Sequence, residues 1–241
     1  MHENPPQLGK PENWLISSLP SAERDLLLKH SEPVDLAAGD VLYEPGDRIE
    51  YAYFPTGAVI SLVCSEVGVG TLEVGIVGAD GLLGVSLRLN IAIADMRALT
   101  HASGPAVRIE AGTFSRLVGF CRGLRELSDR YLYLLMGQLA QVRTCMREHT
   151  LEARMARCLL MTRNRAHSDT IHLKPERFSW VDGFERAGIL AAARSLQNRN
   201  LVRYSRDGVQ IVDDTGLEAA ACSCYAAERE KLLLALPASG A

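Results

Sequence analysis

Ser179–Asp214 reads SWVDGFERAGILAAARSLQNRNLVRYSRDGVQIVDD, and its period changes decide how the chain is built. Gly183 falls where a tight turn needs a positive φ. A helix is predicted from about Glu185 to Asn198, burying Ile189, Ala192 or Ala193, and Leu196. LVRYS and VQIV then alternate as two strands joined through Asp207-Gly208, a strong hairpin signal. Just upstream, Pro175 suits the first turn of another helix, which runs to about Val181. Helix, turn, helix and hairpin make a winged helix-turn-helix. Such a unit lays its second helix in the major groove and its hairpin against the phosphate backbone.

Working outward, Leu151–Arg165 is a helix capped by Thr150, and a hinge is expected at His149–Thr150. Before it, Gly123–His149 is one long helix in which Leu124, Leu127, Tyr131, Leu134, Leu135, Gln138, Val142 and Cys145 recur at three- and four-residue steps. The stripe fits either a helix packed on its own domain or a coiled-coil seam. At roughly 40 Å the helix is too long for a small barrel to cover. The expectation is therefore a homodimer seam through Leu124, Leu127, Tyr131, Leu135, Gln138 and Val142.

From Glu32 to Ile109 short strand-like runs alternate with glycine turns, at Gly39, Gly46, Gly57, Gly68, Gly70, Gly78 and Gly81 among others. This texture predicts an antiparallel barrel or sandwich. Two short helices precede it, with Leu15, Leu19, Leu26 and Leu27 inward and Ser21 as the cap of the second. The division expected is a disordered tail over 1–10, a β-roll sensor over 11–121, a dimerisation helix over 122–149 and the winged module over 150–236.

Bulk properties narrow the classes. The 241-residue chain is 47% apolar and 23% charged, ordinary globular values. Its start has no apolar signal-peptide core and it has no long uncharged apolar run, so a soluble cytoplasmic protein without a membrane partner is expected. Leu151–Asp213 holds eleven Lys/Arg against seven Asp/Glu, making that segment +4 in a chain of −3. A basic module on an acidic body suits nucleic acid. Six cysteines, at 64, 121, 145, 158, 222 and 224, form no CxxC pair and have no zinc-ligand spacing. Cys222 and Cys224, two apart on a predicted helix, are expected to diverge. Packed, reduced thiols, no metal site and no cofactor follow as expectations. No nucleophile–base pair or phosphate-cradling loop appears, so the chain is not expected to be an enzyme.

The whole order resembles the cyclic-AMP receptor protein / FNR (Crp/Fnr) family of bacterial transcriptional regulators. The resemblance is carried by GDVLYEPGD at 39–47, YFPTGAVI at 53–60, LEARMARCLL at 151–160 and SLQNRNLVRYSRDGVQIVD at 195–213, and covers about Trp14 to Tyr225. Asn200 stands where the family commonly has Gly. The resemblance implies an α+β fold class: a cyclic-nucleotide-binding-like antiparallel β-roll, a long dimerisation helix and a C-terminal winged helix-turn-helix. It also implies an effector pocket with a ribose-binding Glu and a phosphate-binding Arg. Here the pocket loop is GADGLLGVSL, 78–87, which puts Gly81, Leu82, Leu83 and Gly84 in the pocket; Ala94 or a neighbour holds the Arg position, and Arg97 is the nearest cation. A cyclic phosphate needs positive charge and N–H donors, so cyclic AMP is not expected to bind in the family's manner, and the small-molecule effector is left unknown. The family's iron–sulfur branch carries an N-terminal cysteine cluster, whereas the first cysteine here is Cys64. His101, in a strand-like run, is read as structural.

The recognition helix departs from the family pattern as well. Of the nine positions Gly183–Ala191, only Gly183, Arg186 and Ile189 match it. Arg186 can hold a guanine edge in bidentate fashion, while Ala187, Gly188 and Ala191 replace a base-reading Glu, a phosphate-anchoring hydroxyl and a second base-reading Arg. Glu185 repels phosphate but favours the helix dipole. At ~1–3 kcal/mol per bidentate pair, two lost per half-site cost roughly 4–12 kcal/mol per dimer. That matches the usual gap of ~4–10 kcal/mol between specific and non-specific binding. The DNA-binding set expected is Arg186 and Glu185 with Lys174, Arg177, Arg194, Arg199, Arg203 and Arg206 on the backbone. The function expected is a homodimeric DNA-binding transcriptional regulator with double-stranded DNA, and further RNA polymerase, as partners. The alternative is a degenerate relative acting as a protein-binding dimer without sequence-specific DNA binding.

Overall fold

The computed structural model describes residues 12–66, 70–168, 170–171, 186–205 and 208–235. Two short helices, α1 (Trp14–Ser17) and α2 (Ser21–Lys29), lead into seven strands: β1 (Ser31–Leu36), β2 (Val41–Tyr43), β3 (Tyr51–Pro55), β4 (Val59–Glu66), β5 (Gly70–Val77), β6 (Arg97–Ala102) and β7 (Gly104–Glu110). They form two antiparallel sheets, ordered β1-β7-β3 and β2-β6-β4-β5. Their facing sides close over one core that includes Phe54, Ile60, Leu82, Ile109 and Phe114. The short 3-10 helix Val85–Leu89 lies between β5 and β6.

Asn13 explains why the chain turns into α1 where it does. Its side-chain oxygen accepts from the N–H groups of Leu15 and Ile16, and its amide donates to the carbonyls of Pro55 and Gly81 at 3.0 and 2.8 Å. One buried side chain thus caps a helix and pins it to two loops of the roll. Ser21 is not the cap expected for α2: Pro20 holds that position without a side-chain bond, and Ser21 is the first helical residue.

Past the roll come α3 (Ala111–Phe120), α4 (Arg122–Glu148) and α5 (Leu151–Ala166). The break between α4 and α5 is at the expected hinge: His149 is extended, and the Thr150 hydroxyl accepts from the N–H of Ala153. The C-terminal module adds β8 (Thr170–Ile171), α6 (Arg186–Asn198), β9 (Val202–Tyr204), β10 (Val209–Ile211), α7 (Asp214–Ala220) and α8 (Cys224–Ala235). Its small sheet runs β8-β10-β9. Asn200, where the family commonly has Gly, takes a left-handed φ of 56° just past α6, a conformation Asn tolerates better than most residues.

The module and the roll share a core. Val59, Ile76 and Ala102 of the roll pack with Met155, Leu159, Leu160, Ile189 and Leu196. Arg165 locks the junction. Buried at the end of α5, it pairs with Asp80 of the roll at 3.0 Å and with Glu228 of α8 at 2.9 Å. Burial works against its charge, but the two carboxylates outweigh burial and keep the guanidinium firmly protonated. Gly78 has to be glycine because a Cβ there would collide with the stem of Arg165.

Candidate nucleic-acid interface

The winged module presents α6 as expected. Ile189, Ala192, Ala193 and Leu196 are all buried, so both alanines of the expected pair face inward. The opposite face carries Ala187, Ala191, Arg194 and Asn198, all exposed and at the four- and three-residue steps of one helical side. Arg186 opens the helix; its side chain lies outside the described residues. The wing folds by register: Val209 opposite Tyr204, Gln210 opposite Arg203 and Ile211 opposite Val202. The Ser205 N–H donates to the Gly208 carbonyl at 2.9 Å across the turn, where Gly208 has a φ of 147°. Arg203 points outward from β9.

Lys174, Arg177, Glu185 and Arg206 of the expected DNA set, the helix expected from Pro175 to Val181 and the turn at Asp182 and Gly183 lie outside the described residues. Arg199 is exposed but pairs with Glu152 at 2.7 Å. The basic excess of the segment is spent differently from what its net charge implied. Arg154 and Arg165 are buried, Arg157 faces Glu228 at 3.5 Å, and Arg163 pairs with Asp214. These four charges of α5 serve internal packing. Arg194 and Arg203 are the outward cations that α6 and the wing offer among the described residues.

The stripe on α4 requires correction. Leu124, Leu127 and Tyr131 are buried by the chain's own roll and belong to its main core. Tyr131 lies against Gly81, where a Cβ would strike the ring, and burial, then Asp80, pushes its phenol well up. Leu135 packs on the same core. Gln138 and Val142 line a narrow open cleft between β5, α4, α5 and α8. Leu124, Leu127 and Tyr131 therefore face inward within one chain, whereas Leu135, Gln138 and Val142 are half-buried. A second apolar stripe is exposed on the far side of the helix: Tyr133 is 69% and Met136 67% exposed, with exposed Ala140 one turn on. Periodicity alone does not say which stripe of a helix meets its own domain.

Two residues of the expected effector pocket belong to the roll core. Leu82 and Leu83 are buried in the roll core, Gly84 turns left-handed at a φ of 88°, and Arg97 pairs with Glu44 at 3.0 Å. Gly81, Leu82, Leu83, Gly84 and Arg97 do not line the cleft beside α4. Ala94, at the position where the family pattern has Arg, is buried. His101 is buried in β6 with Nδ1 3.8 Å from Glu73, as its structural reading expected.

The cysteines also depart from expectation. Cys222 precedes α8 and Cys224 opens it, so the two do not diverge as they would one turn inside a helix. Both reach Cys145 and His149 at the end of α4, and the four ligand atoms lie within 4.8 Å of one another. The exclusion of a metal site by spacing therefore fails: sequence separations of 77 and 75 residues are bridged at this point.

Solved structures carry the same architecture. The c-di-GMP-responsive global regulator CLP of Xanthomonas campestris aligns with a TM-score of 0.62 at 13% identity, over 80% of this chain and 100% of its own. FixK2 of Bradyrhizobium japonicum aligns at 0.65 and 10% identity, over 80% and 98%. TTHB099, a CRP-family transcriptional regulator of Thermus thermophilus, aligns at 0.64 and 16% identity, over 78% and 96%. The chain has the CRP/FNR fold. No protein-family model matches the sequence, and no curated protein does. Among the described residues, no helix is long and apolar enough to cross a membrane.

Proposed function

We propose that the chain is a DNA-binding transcriptional regulator that works as a homodimer. The observation that carries this reading is α6, a helix whose inner side is locked into the module and whose outer side presents Ala187, Ala191, Arg194 and Asn198. Arg186 reads a guanine edge, and the methyl groups of Ala187 and Ala191 meet thymine methyls, an apolar contact available only in the major groove. Arg194 and Arg203 hold phosphates. The dimer forms through Tyr133, Met136 and Ala140, whose apolar surface is exposed among the described residues. Cyclic AMP is not the effector, because the leucines at 82 and 83 fill the core where a ribose would need polar partners. The protein-binding alternative draws support from the internal engagement of Arg154, Arg157, Arg163 and Arg165, which leaves Arg194, Arg199 and Arg203 as the exposed cations of α6, its C-terminal end and the wing among the described residues.

Sequencing of duplexes selected from a random pool by wild type and by Arg186→Ala tests this reading. The expected result is a symmetric motif for wild type that loses one base preference per half-site in the variant, at about 1–3 kcal/mol each. Identical motifs would remove Arg186 from the reading, and no motif for either protein would favour the alternative.

A further inference from the structure

Four soft donors converge at the junction of the long helix, the hinge and the C-terminal module. Cys145 comes from the last turn of α4, and His149 caps that helix. Cys222 and Cys224 come from the turn between α7 and α8. The Cys145 and Cys222 sulfurs are 3.6 Å apart, and Cys224 Sγ is 3.5 Å from His149 Nδ1. A tetrahedral zinc ion, with Zn–S near 2.3 Å and Zn–N near 2.0–2.1 Å, has edges of about 3.8 Å between sulfurs and about 3.6 Å between sulfur and nitrogen. Both measured separations fall within about 0.2 Å of those edges. The widest separation in the group, at most 4.8 Å, has to close by about 1 Å, which rotation of a side chain supplies.

The surroundings suit a cation held by thiolates. The Gln141 amide donates to Cys224 Sγ at 3.1 Å, and Lys231 in turn donates to Gln141 Oε1 at 3.3 Å. The N–H of Cys222 donates to the Ala153 carbonyl at 3.2 Å, fixing the turn to the start of α5. Such outer partners orient ligands before metal arrives. A zinc ion with three thiolates and one neutral imidazole carries a net charge of −1, and Arg157, which also faces Glu228, lines the same cleft as Cys145. Three of the ligands are buried, and half-buried His149 leaves one edge of the site open for entry. Simple packing of small apolar residues would not need a histidine ring nitrogen and an amide aimed at the same sulfur.

We propose that Cys145, His149, Cys222 and Cys224 form a Cys3His site for zinc that clasps the end of α4 to the C-terminal module across the hinge. Three sulfurs and one nitrogen in a tetrahedral set select zinc over hard cations. The clasp ties hinge geometry to metal occupancy, because His149 is itself the hinge residue.

The test uses the full chain, purified under reductant and loaded with zinc or with cobalt(II) alone, then passed through gel filtration. The expected result is one zinc per chain, and for cobalt the strong visible absorption of a tetrahedral thiolate site. Cys222→Ser and His149→Ala are expected to lose the ion, whereas Cys64→Ser and Cys121→Ser, remote from the cluster, keep it. His149→Ala removes a half-buried side chain, and circular dichroism establishes that the variant is folded. The cobalt spectrum of wild type needs no variant at all. Zinc protection of Cys145, Cys222 and Cys224 from alkylation, with exposed Cys64 still modified, adds a residue-level readout. Wild type that retains no ion, an octahedral cobalt spectrum, or equal metal content in wild type and in both ligand variants would overturn the site. So would a Cys145–Cys222 disulfide whose reduced form takes up no zinc.

Discussion

Arg165 carries a positive charge into the junction between roll and module, and its two carboxylate partners come from opposite sides of that junction. Removing one member of a buried ion set leaves the others uncompensated, which costs about 3–5 kcal/mol. Arg165→Met is therefore expected to lower unfolding free energy by about that amount in urea titration; a change below about 1 kcal/mol would mean that the pair is solvated. In the sequence Arg165 is one of several arginines of a basic segment, and nothing in its spacing reveals that it points inward; its partner Asp80 lies 85 residues earlier. Glu110 is simpler. The Thr113 hydroxyl, then the N–H groups of Gly112 and Thr113, hold its carboxyl below the usual range as it caps α3. A folded-state pKa below the unfolded one gives stability that is whole above the ordinary carboxylate range and is lost as pH falls through the folded value. Glu110→Ala is expected to cost at most about 1 kcal/mol near neutral pH, with the difference from wild type shrinking as pH falls below the ordinary carboxylate range and through the lowered folded value. A difference that persists there would assign the cost to packing.

Along α4 two apolar stripes run on opposite sides, and the distinction between them decides the oligomer. Leu127 and Tyr131 are covered by the roll, while Tyr133 and Met136 are bare. Tyr133→Glu combined with Met136→Glu is expected to yield a folded monomer in sedimentation, whereas Tyr131→Asp, which buries a charge inside one chain, is expected to unfold the roll. A dimeric double variant would move the interface elsewhere. The sequence made the helix itself plain, because a three- and four-residue period over more than twenty positions has no strand reading. It left the stripe's partner open, because the same period serves a coiled coil and an intrachain core. Strands and glycine turns of the roll were legible for the same local reason, as was α6 with its inward Ile189, Ala192, Ala193 and Leu196. The Cys145, His149, Cys222 and Cys224 cluster was not, since it depends on α8 folding back along α4, a long-range contact that no local pattern encodes.

Across the whole molecule, the winged module is packed on the roll through a common core, and most of the arginines of α5 are spent inside that arrangement. Among the described residues, α6 and the wing offer phosphate Arg194 and Arg203. Arg194→Ala and Arg203→Ala are each expected to weaken binding of all duplexes alike and to reduce the salt slope by about 1; a change confined to one sequence would make either residue a base reader. The proposed dimer is expected to read DNA despite its altered recognition helix. Selection of bound fragments from a sheared bacterial genomic library, at low and moderate salt, tests it most directly. The expected result is enrichment of a two-fold symmetric site, with half-sites about 34–36 Å apart and affinity falling steeply with salt. No enrichment at either salt would contradict it.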